Sequence, residues 1–278
     1  MMLESPLTFA ENYAKSRIAL FGAPFDGTVC YRPGARFGPN SIRGEFYGVE
    51  PYSPYQDKDM ESVSVFDCGD LDLPFGNTGR ALKMIEDFVE KLCGEDKLPF
   101  MIGGEHLVTL GAVRALRRKY ADLAVIQLDA HADLMDAYMG EELSHAAVMR
   151  RIWELVSDGK IYQFGIRSGK KFEFEFAKKH NHIQKFNFGG LKAAADALGN
   201  TPVYLTVDLD VLDPSILPGT GTPEAGGVSF QELLNAILGL SRLNIVGCDM
   251  VELSPIYDPS GVSTAVACKL LREMLLML

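Results

Sequence analysis

Eight short apolar runs of strand length recur along the chain: RIALFGAPF, SVSVFDCGD, LPFMIGG, LAVIQLDAH, KIYQFGIRS, HIQKFN, VYLTVDLDV and NIVGCDMVEL. Between most of them lie segments whose apolar residues return at helical spacing, such as TGRALKMIEDFVEKL, HLVTLGAVRALRRKY, SHAAVMRRIWELV, SFQELLNAILGLSRL and the final GVSTAVACKLLREMLLML. Strands alternating with helices predict an α/β fold with a mostly parallel sheet covered on both faces. The near-continuous apolar character of LAVIQL and VYLTV fits strands buried on both sides. Periodicity leaves two architectures open, a closed eight-stranded barrel and an open doubly wound sheet, and both place their sites at the carboxyl ends of the strands.

That is where the polar residues gather. The run LAVI leads into QLDAHADL, which carries Asp129, His131 and Asp133 at alternating positions. In an extended chain such residues share one face and can converge on a point. VYLTVDLDVLDP repeats the design with Asp208 and Asp210, and GGEH sets His106 after a glycine pair that allows a sharp backbone turn. Each motif has a plainer reading as a cap or turn former. Two clamps of one design on separate strands are less easily explained by turn chemistry. Together they offer two histidines and four carboxylates without a thiolate, a donor set better suited to Mn²⁺ or a similar divalent ion than to structural zinc. Six groups suit two ions sharing bridging carboxylates, and ions about 3.5–4 Å apart can lower the pKa of a water between them. Hydrolysis is the reaction class that follows.

The 278 residues, 47% of them hydrophobic, are enough for one large α/β domain, and no Pro-, Gly- or Ser-rich linker divides them, so a single domain over 1–278 is expected. The stretch MMLESPLTFAENYAKSR carries Glu4 and Glu11 and lacks an uninterrupted apolar core, unlike a signal peptide. Lys269, Arg272 and Glu273 interrupt the C-terminal apolar run, so no membrane span or membrane partner is expected. Cys30, Cys68, Cys93, Cys248 and Cys268 are scattered, without CxxC spacing, and read as reduced packing residues of a cytoplasmic protein. A formal net charge of -10 disfavours nucleic acid and suits a cationic small substrate.

The ordered set PFDGTVCYRPGARFGPNSIR, GGEH, DAHAD, SH, FGIRSG, DLDVLDPSILPGTGTPEAGG and VELSPIYD resembles the ureohydrolase family of arginases and agmatinases, most of all the bacterial agmatinases, over nearly the whole chain. The resemblance implies a three-layer α/β/α sandwich with a mainly parallel eight-stranded sheet, arginase-like and open. It implies two Mn²⁺ per chain, one held by His106, Asp129, Asp133 and Asp208, the other by His131, Asp129, Asp208 and Asp210. On this pattern Asp133 also orients the attacking hydroxide, His145 shuttles a proton to the leaving amine, and Glu252 grips the guanidinium. The segment after His145 departs from the pattern: Ala146, Ala147 and Val148 stand where a small residue and a proline tend to follow. Gly34, Gly38, Pro39, Gly219 and Gly221 are expected to shape loops over the pocket, and Arg167 to serve either an oligomer contact or a loop carboxylate. His180 and His182 read as surface residues. A homo-oligomer, trimer or hexamer, is implied by the resemblance alone.

The implied reaction is Mn-dependent hydrolysis of agmatine to putrescine and urea, with arginine or guanidinobutyrate as rival substrates. A dimetal phosphoesterase is the remoter enzyme, and the chain lacks the GNH[DE] motif of that group. The rival outside catalysis is a metal-binding regulator, against which all six ligands, His145 and Glu252 speak. Agmatine is favoured over arginine because the segment LMDAYMGEELSHA carries Asp136, Glu141 and Glu142 and no Asn before Ser144. Facing the substrate, those carboxylates would attract an ammonium and repel an α-carboxylate.

Overall fold

The computed structural model describes residues 5–278; residues 1–4, Glu4 among them, lie outside the described residues. All eight apolar runs form strands of one sheet: β1 Ile18–Ala23, β2 Val65–Asp70, β3 Leu98–Gly103, β4 Ala124–Leu128, β5 Ile161–Ile166, β6 His182–Lys185, β7 Pro202–Asp208 and β8 Asn244–Val251. Every neighbouring pair is parallel, in the order β2-β1-β3-β8-β7-β4-β5-β6. The sheet is open, with β2 and β6 at its edges. A two-stranded antiparallel ribbon pairs Tyr52–Ser53 with Lys58–Asp59.

The alternation along each strand divides the core in two. Ile18, Leu20, Phe100, Ile102, Ile126, Leu128, Leu205 and Val207 join one hydrophobic cluster. Their neighbours Ala19, Phe21, Met101, Val125 and Tyr204 join the other. Helices α1 (Gly38–Glu45), α6 (Leu191–Leu198), α7 (Phe230–Leu238) and α8 (Val262–Met277) cover the first face. Helices α2 (Thr78–Gly94), α3 (Thr109–Lys119), α4 (Val148–Val156) and α5 (Lys171–His180) cover the second. Both faces are therefore dry, which is why the central strands read as unbroken apolar runs.

No helix among the described residues is long and apolar enough to cross a membrane. The polar interruptions of α8 have a structural use. Arg272 and Glu273 are both buried and paired, Arg272 Nε standing 3.0 Å from the Glu273 carboxylate. Arg272 also donates to the carbonyls of Glu50 and Tyr52, while Glu273 accepts from Ser53 Oγ and Gln56 Nε2. The pair thus ties the antiparallel ribbon to the core. Glu273→Ala strands a buried guanidinium and is expected to destabilise the chain by about 3–5 kcal/mol. Chemical denaturation checks this, and a loss below about 1 kcal/mol, the range of a surface pair, would show that the pair holds nothing.

Candidate active site

The carboxyl ends of the four central strands, β3, β8, β7 and β4, deliver the candidate residues to one place. Both aspartate motifs curl beyond their strands in the same way. Asp129 Oδ1 accepts from the N–H of His131 at 2.6 Å, and Asp208 Oδ1 accepts from the N–H of Asp210 at 2.9 Å. These are Asx turns. The residues converge because each first carboxylate bends the chain, not because three side chains share one face of a strand, as the extended reading expected. Each motif turns its second carboxylate oxygen inward, toward His106 Nδ1.

His106 meets them from β3. Its Nδ1 lies 2.9 Å from Asp129 Oδ2, 3.1 Å from Asp133 Oδ2 and 3.3 Å from Asp208 Oδ2. Its Nε2 contacts Thr206 Oγ1 at 2.9 Å. Nδ1 is buried and has no hydrogen-bond partner despite the three oxygens around it. His131 Nδ1 lies 2.9 Å from Asp210 Oδ2. Two groups of potential metal donors emerge, His106–Asp129–Asp208 and Asp129–His131–Asp210, with Asp129 common to both. Asp208 is not part of the second group, and Asp133 enters through its contact with His106.

The site is an anionic well. Burial, then the charges of Asp210 and Asp129, push the Asp208 carboxyl well above its ordinary range. Burial and then Asp129 push Asp133 up to about 7. Burial works against Asp129 as well, but the neighbouring imidazoles of His106 and His131 hold it below the usual carboxylate value. Burial, opposed first by the Asp210 charge at His131 and by the adjacent Asp129 carboxylate at His106, leaves both imidazoles well above their ordinary range. A buried orphan nitrogen facing three carboxylates is a metal-ligand arrangement, and the all-oxygen-and-imidazole donor set fits a divalent cation of the Mn²⁺ class.

Glu252 follows β8 with φ 67, and Asp133 has φ 53, so two candidate site residues hold left-handed backbone that side chains other than glycine rarely adopt. Glu252 Oε1 accepts from the N–H of His106 at 2.7 Å, and the N–H of Glu252 donates to the carbonyl of Gly104. Burial raises its carboxyl well above the ordinary value, and Glu105 and Asp210 add to the rise. The glycine pair of GGEH serves close packing, not a left-handed turn. A Cβ on Gly104 would stand 2.0 Å from the Phe25 carbonyl oxygen, and one on Gly103 2.5 Å from a Val251 methyl.

A cavity of about 320 Å³ opens over these groups, lined by His106, His131, Asp133, Asp208, Glu252 and His145 among others. His145 begins the 3-10 turn that precedes α4. Burial pushes its imidazole down to about 4, opposed by a hydrogen bond to Thr28. Cys30, expected to be a packing residue, is exposed on the cavity wall, with Sγ 3.7 Å from His145 Nε2 and accepting from the Tyr138 hydroxyl at 3.4 Å. The other four cysteines are buried or half-buried, and all five are free. His182 is exposed, and half-buried His180 pairs with Asp158.

Arg167 binds backbone carbonyls of a loop, not the loop carboxylate that was one of its expected partners. Its guanidinium donates to the carbonyls of Asp210, Val211, Leu212 and Glu224, fixing the backbone that presents Asp210. A buried amide chain does the same for Asp129: Gln127 Nε2 donates to Asp129 Oδ2 at 2.7 Å, Gln163 Nε2 to Gln127 Oε1 at 2.7 Å, and Asn181 Nδ2 to Gln163 Oε1 at 3.1 Å. Glutamines inside the otherwise apolar runs IQL and YQF were the available signal. The acidic segment does not face the cavity as expected. Arg151 on α4 draws Asp136 and Glu142 outward at 3.2 and 3.5 Å, and Glu141 lines a neighbouring cavity. Met135, Tyr138 and Ala146 form the wall instead, with exposed Lys170 at its edge.

A family model described as the Arginase family matches residues 16–277. The chain belongs to the arginase family. An agmatinase from Bacillus cereus is 48% identical over 269 residues, covering 95% of this chain and 93% of that relative. A guanidinobutyrase from Pseudomonas aeruginosa is 33% identical, covering 94% and 86%. The solved agmatine ureohydrolase of Thermoplasma volcanium superposes with a TM-score of 0.90 at 34% identity, covering 100% of this chain and 94% of that one. The arginase-family fold is thus the open α/β sandwich described above.

Proposed function

We propose that this chain, one ureohydrolase domain over 1–278, hydrolyses the guanidinium group of agmatine to urea and putrescine. The observation that carries the reading is the 48% identity to an agmatinase over 95% of the chain, joined to a site whose acidic, imidazole-bearing floor suits a cationic guanidine. His106, Asp129, Asp133 and Asp208 would hold one Mn²⁺, and His131, Asp129, Asp208 and Asp210 the other. Bound there, the pair would supply Lewis-acid chemistry and lower the pKa of water toward neutrality.

The side chains divide the remaining work. Glu252 offers two acceptors to the planar guanidinium and orients it over the floor. Asp133 accepts a hydrogen bond from the attacking water. As the carbon–nitrogen bond breaks, the leaving amine takes a proton from His145. An imidazole that is neutral at rest must first gain that proton from the reacting system, so the proton released by water is the one delivered. The free cysteines agree with a cytoplasmic enzyme, and family membership supports a homo-oligomer, a trimer or hexamer.

The basis for preferring agmatine over arginine shifts from the acidic segment to the wall. Met135 and Ala146 offer an α-carboxylate no donor, and Glu173, which also lines the cavity, would repel it and attract an ammonium. Discrimination of roughly tenfold or more is expected. A second reading, a guanidino acid such as guanidinobutyrate, is favoured by Lys170, whose cation at the cavity edge would attract an anionic tail. Urea release across agmatine, arginine and guanidinobutyrate under equal Mn²⁺ loading decides. Agmatine should give the highest kcat/KM; arginine or guanidinobutyrate equal to it would overturn the substrate assignment, and urea from none would overturn the enzyme.

A further inference from the structure

The loop after β1 reaches the cavity wall through Cys30 and reaches His145 through Thr28, whose contacts are directional. Glu105, fully buried, accepts from the Thr28 hydroxyl at 2.6 Å through Oε1 and from the Thr28 N–H at 2.8 Å through Oε2. The Thr28 oxygen in turn accepts from the backbone N–H of His145 at 3.0 Å and lies 3.4 Å from His145 Nδ1. The loop itself is pinned, because the N–H of Gly104 donates to the Ala23 carbonyl and that of Glu105 to the Phe25 carbonyl. A Cβ at Gly104 would overlap the Phe25 backbone.

A hydroxyl has one proton and two acceptor sites. The Thr28 proton faces the Glu105 carboxyl at 2.6 Å and a ring nitrogen at 3.4 Å, so the shorter contact takes it. What remains on the Thr28 oxygen can only accept. The His145 ring is therefore favoured with hydrogen on Nδ1, which leaves the Nε2 lone pair beside Cys30 on the cavity wall.

We infer that Thr28, backed by Glu105, is a positioning residue for His145, fixing its tautomer and ring orientation so that Nε2 is the atom that exchanges the proton in the cavity. The inference rests on the reading of His145 as proton donor. It also explains how a histidine in a 3-10 turn before α4 is aligned with groups that follow β3: Glu105 immediately precedes His106, so one segment carries both the candidate ligand and the anchor of the donor.

The test is a double-mutant cycle on Mn²⁺-loaded enzyme with Thr28→Val, which keeps the shape and deletes the hydroxyl. Thr28→Val is expected to lower kcat by about 10- to 100-fold, part of the 10²–10⁴ typical of general acid–base catalysis, with KM changed less than about threefold. Thr28→Ser should restore most of kcat. In a His145→Ala background the same substitution should cost less than about threefold, because the group it positions is gone. An equal loss from Thr28→Val in both backgrounds, or failure of Thr28→Ser to recover kcat, would overturn the positioning role and leave Thr28 as a structural prop. Undiminished activity in His145→Ala alone would overturn the reading of His145 itself.

Discussion

Asp129→Asn is expected to lose at least one of two equivalents of divalent metal and to bring urea release to background. Asp129 is the residue common to both donor groups, and its Oδ2 lies 2.9 Å from the orphan nitrogen of His106. The asparagine oxygen can keep the hydrogen bond from the His131 N–H, so the loop persists while the anionic donor is gone. Asp208→Asn should behave alike, since its Oδ1 likewise holds the Asp210 N–H. Removing Gln127, which orients Asp129 and also donates to the His131 carbonyl without being a ligand itself, should weaken metal affinity by about 10- to 100-fold, and the two ligand substitutions by more. Elemental analysis and titration calorimetry of Mn²⁺-loaded protein measure all three. Wild-type protein saturating at one ion per chain, or Asp129→Asn retaining two, would end the two-metal reading.

Glu252→Gln should abolish most activity while the metals stay bound. The amide oxygen can still accept from the His106 N–H, so the ligand loop survives. What is lost is the negative charge and the second acceptor that a guanidinium requires. The expected loss in transition-state stabilisation is ~2–4 kcal/mol, which corresponds to about 30- to 1000-fold in kcat/KM. The raised carboxyl of Glu252 strengthens the expectation: burial beside Glu105 and Asp210 destabilises its charge until a cation arrives, so carboxylate and guanidinium compensate each other. Near-normal kcat/KM with full metal content would remove Glu252 from substrate binding.

What the chain reveals locally and what it hides follow one physical line. All eight strands were legible because a strand buried on both faces must be apolar along its length, whatever its partners. The D-x-H and D-x-D pairs were legible because both lie where an apolar run stops. Less legible were α1, α5 and α6. KFEFEFAKKH alternates like a strand, yet it forms α5, where Ala177 is buried and Phe174 and Phe176 pack on the second core layer. Tertiary packing overrode the local pattern there.

The sheet order, by contrast, is a long-range property. It brings β3, β8, β7 and β4 side by side although they are far apart in the chain, and the well of carboxylates exists only because their ends coincide. Side-chain partners chosen across that distance have no local signature. Thr28 meets His145 across 117 positions, and Arg167 finds the carbonyls of the Asp210 loop across 43–45. The acidic segment shows the same limit in reverse: its charges were plain in the sequence, but Arg151 on α4 decides which way they point. Hydrophobic periodicity is a property of neighbours and can be read from them, whereas the direction of a charged or hydroxyl-bearing side chain depends on what the fold places opposite it.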